Sequence, residues 1–243
     1  MTLHPKHDPM GQAILDSVLQ RPSRPLVVHS TMFDDDEMPV STLLRSPAEM
    51  PAIERRAIGL SRGRVLDVGA GAGCHSLALQ ANGLAVTSID ISPLSTEARR
   101  IRGVADARCA DFFDTAALQG ERYDTILMLM NGIGLAGTLS ALPRLLGRAK
   151  ELLADGGQIL ADSSDISYVF ENEDGILELP ADTAYYGEVN FRMTYGSTEG
   201  EAFDWLYIDF PTLAKTADRC GLAAQLVEKG EHYDYLARIT AKG

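Results

Sequence analysis

The chain has 243 residues, 45% of them apolar, and a formal net charge of −12, enough apolar content for one large core with a small appendage. That charge excludes nucleic-acid backbones and anionic membrane surfaces as ready partners unless a basic patch is gathered by the fold, and no apolar run reaches the length of a membrane span. The three cysteines, Cys74, Cys109 and Cys220, lack C-x-x-C spacing, which argues against a disulfide scaffold or a zinc site and predicts a cytoplasmic protein without a metal.

Residues 10–19 carry helical spacing, which residues 21–25 break with prolines. The acidic run Asp34, Asp35, Asp36 and Glu37 reads as a solvated loop: consecutive carboxylates diverge, and no further oxygens stand at cation-binding spacing. Residues 1–50 are therefore expected to form a helix and a covering segment, with the main domain spanning 51–243. From residue 64 onward, strand-length apolar runs at 64–68, 85–89, 105–109, 125–130 and 158–161 alternate with helical stretches. That rhythm predicts βαβ units and a doubly wound, mostly parallel α/β sheet.

The helical stretches are 74–81, 93–101 and a longer one in which Leu142, Leu145, Leu146, Ala149, Leu152 and Leu153 share a face, with a stop expected at Asp155-Gly156-Gly157. Arg99, Arg100 and Arg102 read as the solvated side of the second helix. Past residue 162 the rhythm changes. Val189, Phe191, Met193 and Tyr195 alternate with polar residues, a turn follows at 196–200, and a second extended run covers 203–210, so an antiparallel hairpin is expected beyond the parallel core. A helix over 213–221 and a closing strand pair, 223–227 with 233–239, complete the chain. Of the sixteen aromatic residues, twelve lie from Tyr168 onward, either packing that hairpin or lining a pocket.

The run Val65-Leu66-Asp67-Val68-Gly69-Ala70-Gly71-Ala72-Gly73 is an apolar strand entering a glycine-rich turn that opens a helix. Missing β-carbons let a ligand approach the backbone, and the helix start offers free N–H donors. A second strand ends at Asp90, where a carboxylate can accept both hydroxyls of a ribose. A dinucleotide fingerprint wants Gly or Ala where Cys74 stands, and Asp67 ahead of the glycines disfavours a pyrophosphate while suiting a cationic ligand.

Residues 65–79 with Ser88-Ile89-Asp90-Ile91 resemble the first two motifs of class I S-adenosylmethionine-dependent methyltransferases. While the break in rhythm after Asp162, the alternation of 189–195 and the aromatic crowding favour the hairpin of about 185–210 as a lid, the resemblance implies a Rossmann-like seven-stranded sheet and S-adenosyl-L-methionine as cofactor. It places Asp67, Gly69, Ala70, Gly71 and Gly73 at the methionine portion, Asp90 and Ile91 at the ribose, and Asp111-Phe112 at the adenine. Met130-Asn131 stands where the family's fourth motif borders the transferred methyl, without the Asn-Pro-Pro-aromatic sequence of enzymes acting on amino groups of nucleic acids and proteins. Arg45, in the segment preceding the first core helix, is expected to meet the cofactor's carboxylate.

Candidate catalytic residues are Asn131, which is also a turn former, Tyr185 and Tyr186, whose hydroxyls can orient or deprotonate a substrate, and His232, a candidate general base. A small-molecule acceptor without nucleic-acid or membrane partners is the expectation. A protein or RNA methyltransferase, a nicotinamide-dependent oxidoreductase and a non-catalytic cofactor-binding module remain alternatives; Cys74 counts against the second.

Overall fold

The computed structural model describes residues 2–172, 174, 176–178 and 185–242. The chain opens with helix α1 (Pro9–Val18), strands β1 (Leu26–Ser30) and β2 (Asp36–Met38), and helices α2 (Val40–Leu44) and α3 (Ala52–Leu60). The alternating core follows: β3 (Arg64–Val68), α4 (Cys74–Ala81), β4 (Ala85–Asp90), α5 (Pro93–Ile101), β5 (Asp106–Cys109), β6 (Tyr123–Met128), α6 (Leu142–Leu152) and β7 (Leu153–Ser164). The last third supplies β8 (Glu188–Tyr195), β9 (Thr198–Glu199), β10 (Phe203–Leu206), α7 (Phe210–Arg219), β11 (Leu222–Lys229) and β12 (Asp234–Ala241).

Local chemistry sets three of the helix starts. Asp8 caps α1 by accepting from the Gly11 N–H at 2.9 Å, Ser92 caps α5 through Ser95, and Asp209 caps α7 through Thr212, each with proline in the first turn, where its missing N–H costs nothing. Helix α6 ends at Leu152, three residues before the expected Asp155-Gly156-Gly157 stop, and those residues lie inside β7. There Gly156 takes φ +70°, and the register against β6 jumps between Tyr123 and Thr125, so the glycines serve a bulge rather than a helix end.

The main sheet has the order β11-β12-β7-β6-β3-β4-β5. Strands β5, β4, β3, β6 and β7 are mutually parallel, while β12 runs antiparallel to β7 and to β11. This is a seven-stranded Rossmann-like α/β sheet. The chain leaves β3 toward β4 and β5, then returns to place β6 on the other flank, so the topological switch point lies between β3 and β6. Ligand crevices in open α/β sheets form there, beyond the carboxyl ends of the strands.

Strand alternation divides the apolar residues between two layers. Leu66, Ile126, Ile159 and Ala237 join Leu145, Leu146 and Leu213 of α6 and α7 on one face. Val65, Leu127, Leu160 and Leu236 join Ile53, Ala57 and Leu79 of α3 and α4 on the other. Successive residues of one strand thus serve opposite layers, as expected for parallel strands covered on both faces.

The expected hairpin is part of a larger structure. Strands β8 and β10 pair antiparallel, with Phe203 opposite Phe191 and Trp205 opposite Val189, but β1 pairs with the other edge of β8 and β2 with β1. The sheet order is β10-β8-β1-β2, with β9 on β8. The amino-terminal segment therefore contributes two strands that its prolines and charges concealed. The acidic run is exposed as expected, yet Asp36 and Glu37 belong to the edge strand β2, and Asp35 accepts from His29 Nδ1 at 2.8 Å. The second extended run stops at Leu206, because Phe210 already opens α7.

This second sheet rests on the turn that follows β6. A Cβ added to Gly134, in the 3-10 segment Gly132–Ala136, would lie 2.0 Å from Nε1 and 2.2 Å from Cε2 of Trp205. The glycine lets the indole lie directly on the backbone. Gly134→Ala is expected to cost about 1–3 kcal/mol of stability through overpacking, read by denaturant unfolding. Because Trp205 is the sole tryptophan, its emission should shift in the folded variant. Unchanged stability together with unchanged emission would show that the contact does not hold the second sheet in place.

Candidate active site

The turn from β3 into α4 passes through Gly69, Gly71 and Gly73 at φ +68°, +48° and +83°, a region costly for any residue with a β-carbon. A Cβ at Gly69 or Gly71 would meet nothing within 4 Å, whereas at Gly73 it would press on Arg99 and Val104 at 3.0 Å. The first two glycines hold the backbone open toward the crevice and the third allows close packing behind it. Ala70 ties the loop to the neighbouring strand by donating to Ile89 O at 3.0 Å.

Asp90, at the end of β4, accepts from the Gly71 N–H at 2.9 Å and from Ser92 N–H at 2.8 Å, while its side chain keeps 14% exposure. A carboxylate has about four acceptor positions, so two hydroxyls can still be received. Ile91 is exposed, and its carbonyl accepts from Leu3 N–H at 2.9 Å, bringing the amino-terminal residues to the rim. Asp111 follows β5 and accepts from Phe113 N–H at 2.9 Å. Phe112, expected to face the adenine, is instead packed into the core beneath α6.

Two further expectations are revised by the packing. Asp67 is buried and accepts from the Ser76 hydroxyl at 2.5 Å; burial pushes its carboxyl above the usual carboxylate value. It fastens the start of α4 from within rather than facing a cation. Arg99, expected on a solvated face, is wholly buried. Arg102 is partly buried and donates to Ala72 O at 2.6 Å, whereas Arg100 is exposed as expected, though it donates to Ala107 O at 3.0 Å. Strand β5 and the glycine loop present unpaired carbonyls to that side of α5, and guanidinium groups satisfy them.

Across the switch point, Met130 and Asn131 follow β6 with φ +66° and +55°. Two consecutive non-glycine residues in the left-handed region store strain, a feature of functional sites that the surroundings must enforce. Strand β7 enforces it. Asp162 accepts from the Gly132 N–H at 3.1 Å, and the Ser164 hydroxyl donates to Asn131 Oδ1 at 2.9 Å. Burial raises the Asp162 carboxyl to about 6, outweighing its backbone hydrogen bonds from Gly132 and Asn131.

Tyr185 and Tyr186 stand near the carboxyl end of β7. Their rings are 4.5 Å apart; Tyr185 donates to Asp209 Oδ2 at 2.6 Å and Tyr186 to Asp165 Oδ1 at 2.8 Å. Burial and these carboxylates push both phenols well above their ordinary value, which favours the protonated hydroxyls that make these hydrogen bonds. His232 is exposed in the loop between β11 and β12, its backbone N–H donating to Asp234 Oδ1 at 2.9 Å; among the described residues no hydrogen bond or ion pair draws it to the other candidates.

Arg45 lies at the heart of a buried charge cluster that sequence spacing did not reveal. Its guanidinium meets Glu54 Oε1 at 2.5 Å and lies 3.5 Å from Met130 Sδ, while His75 Nε2 donates to Glu54 Oε2 at 2.9 Å. Burial alone would raise Glu54, yet His75 and Arg45 hold it below the usual carboxylate value. Burial likewise opposes charge on His75, but hydrogen bonds with Cys74 and Glu54 raise it to about 10. Two cations therefore share one carboxylate beside the glycine loop, with Arg45 touching Met130 across the crevice. Among the described residues no group of side chains is arranged to hold a metal ion, the cysteines are free thiols, and no helix is long and apolar enough to cross a membrane.

A methyltransferase-domain family model matches residues 44–212. A solved S-adenosylmethionine-dependent methyltransferase from Bacteroides fragilis, in complex with S-adenosyl-L-homocysteine, is 48% identical over 100% of this chain and 98% of that chain, with a TM-score of 0.93. The methyltransferase CcbJ of Streptomyces caelestis is similar at 17% identity over 82% of this chain and 93% of that one, with a TM-score of 0.58. A sugar N-methyltransferase from Streptoalloteichus matches at 16% identity over 83% and 88%, with a TM-score of 0.55. These last two likenesses are of fold alone. No curated protein sequence matches the chain.

The charge cluster makes a test of its own. Glu54→Gln leaves Arg45 and His75 buried without a counter-charge and should cost about 3 kcal/mol or more. His75 binds its proton more tightly folded than unfolded, so its contribution is complete below about pH 6.5 and is lost as pH rises toward about 10. The wild type should lose stability across that window, and Glu54→Gln should flatten the slope. Urea unfolding of both proteins between pH 6 and 10 decides it; parallel curves would refute a charged His75.

Proposed function

The chain belongs to the S-adenosylmethionine-dependent methyltransferases, and from that premise we propose that it methylates a small-molecule acceptor bound between the Met130–Asn131 turn and the tyrosine pair. The carrying observation is the Tyr185, Tyr186, Asp165 and Asp209 network at the carboxyl end of the sheet. Through neighbouring Ser164 it adjoins the residue that orients Asn131. The second sheet packs on the same turn through Trp205, which brings a further layer to this end of the main sheet and favours a small acceptor over a polymer. The net charge of −12 works against nucleic-acid acceptors. The Streptoalloteichus neighbour is named as acting on a sugar nitrogen, which accords with a small acceptor.

The residues fit the cofactor. Gly69 and Gly71 offer open backbone, Asp90 a carboxylate for the ribose hydroxyls, and Asp111 a second acidic group one strand further on. Arg45, already shared with Glu54, would be the cation nearest the cofactor's carboxylate. When bound, S-adenosylmethionine supplies an electrophilic methyl on a sulfonium. Displacement there needs proximity and alignment more than acid or base groups. That agrees with a site whose tyrosines donate hydrogen bonds and whose exposed histidine stands apart. A protein or RNA acceptor is the second outcome that a screen can return.

Two outcomes are expected. Asp90→Ala should weaken S-adenosylhomocysteine binding by about 2 kcal/mol or more, roughly 30-fold, the cost of losing a charged hydrogen-bond partner. Calorimetric titration of the folded variant measures this, and an unaltered affinity would remove Asp90 from the site. In a screen of small amines, alcohols, thiols and acids for S-adenosylhomocysteine release, replacing both Tyr185 and Tyr186 with Phe should lower turnover of any hit about 100-fold while cofactor affinity stays within about threefold. Equal turnover by the double variant would place the acceptor elsewhere.

A further inference from the structure

Arg99 is among the largest wholly buried side chains, yet nothing in the proposed reaction uses it. Its Nη1 donates to Gly71 O at 3.0 Å and lies 3.8 Å from Asp90 Oδ2; its Nη2 donates to Arg108 O at 3.0 Å and to Thr96 Oγ1 at 2.9 Å. Its Nε is buried and has no hydrogen-bond partner among the described residues. Asp90 Oδ2, the oxygen nearest the guanidinium, is also the one that receives the Gly71 N–H. One planar group therefore reaches the glycine loop, the acid that ends β4 and the strand that leads to Asp111. These are the three segments assigned above to the methionine, ribose and adenine parts of the cofactor.

Pairing of buried carbonyls by the guanidinium does not by itself account for a charge in this position. Taking a guanidinium out of water costs several kcal/mol, and replacing buried charged groups by apolar ones of similar volume is often neutral or stabilising. An orphaned Nε adds to the cost. The fork geometry of arginine does offer what an apolar residue cannot, several N–H donors in fixed directions.

We propose that Arg99 is a positioning residue for the cofactor: it locks the glycine loop, Asp90 and the end of β5 into one arrangement before the ligand arrives. This rests on the cofactor-site reading given above. Its physical content is preorganisation. With Arg99 in place the Gly71 carbonyl and the Asp90 carboxylate are held from behind, so binding need not order them. Lysine offers a single point charge and cannot span Gly71, Thr96 and Arg108 together.

The test is calorimetric titration of S-adenosylhomocysteine into wild type, Arg99→Met, Arg99→Lys, Asp90→Asn and Leu213→Ala, with melting temperatures for each. Leu213 is buried in the core on α7 and provides a destabilised control away from the site. The expected result is a loss of affinity of about tenfold or more for both Arg99 variants, without rescue by lysine, while Leu213→Ala binds as wild type despite its lower melting temperature. If an Arg99 variant does not fold, Thr96→Val removes one anchor of the guanidinium and should weaken binding about threefold, with Thr96→Ser unaffected. Arg99→Met binding within twofold of wild type, or the same affinity loss in Leu213→Ala, overturns the inference. Failure of Asp90→Asn to weaken binding overturns instead the underlying assignment of the cofactor segments.

Discussion

The carboxyl edge of the main sheet is organised by one conformational constraint, the passage from β3 to α4 through three glycines in the left-handed region. Such a turn exposes backbone on its crevice side and leaves carbonyls unpaired behind it, in a place where water is excluded. Buried polar groups without partners cost about 1–3 kcal/mol each, so the fold brings donors to them. Arg99 and Arg102 arrive from α5, Asp90 receives the loop's N–H, and Ser76 and Asp67 close the first turn of α4. The charged residues around the site are in this sense answers to the backbone geometry that the glycines create.

A second consequence is that charge is also concentrated below the site. Arg45, Glu54 and His75 form a compact cluster between the covering segment, α3 and α4, and Asp162 holds the turn after β6 with a carboxyl raised to about 6 by burial. Each group alone would be expensive in this environment. Together they fix the relative positions of the two loops at the switch point, one rich in glycine and the other strained at Met130 and Asn131. The paired contacts of β7 on that second loop show how a strained turn persists: Asp162 takes its N–H while Ser164 orients its carboxamide.

The second sheet links the ends of the chain. Strand β1, from the amino-terminal segment, is completed by β8, more than 150 residues later, and the resulting surface bears on Gly134 through Trp205. Loop closure over such a separation costs only slowly more with length, whereas the apolar faces of β1 and β8 bury Leu26, Met193 and Tyr195 against α1. Neither segment has enough apolar surface to be stable alone. Part of the aromatic crowding after Tyr168 is packing within this sheet, where Phe203 meets both Phe191 and Trp205.

What the sequence by itself determined rests on near neighbours: the alternating strands and helices, the glycine loop and, through them, the family and its cofactor. Period and spacing are local, and they survive in a single chain. What only the tertiary structure decided depends on partners distant in sequence. Strands β1 and β2 were invisible because a three- to five-residue strand is defined by its pairing, not its composition. Arg99 looked like solvated charge because helical periodicity shows that arginines share a face but not that the face meets unpaired carbonyls. The Arg45–Glu54–His75 cluster, the grip of Asp162 on the turn and the inward hydrogen bonds of Tyr185 and Tyr186 have the same origin. Burial and a partner brought from elsewhere in the fold set the protonation and orientation of a side chain, and neither is written in the residues beside it.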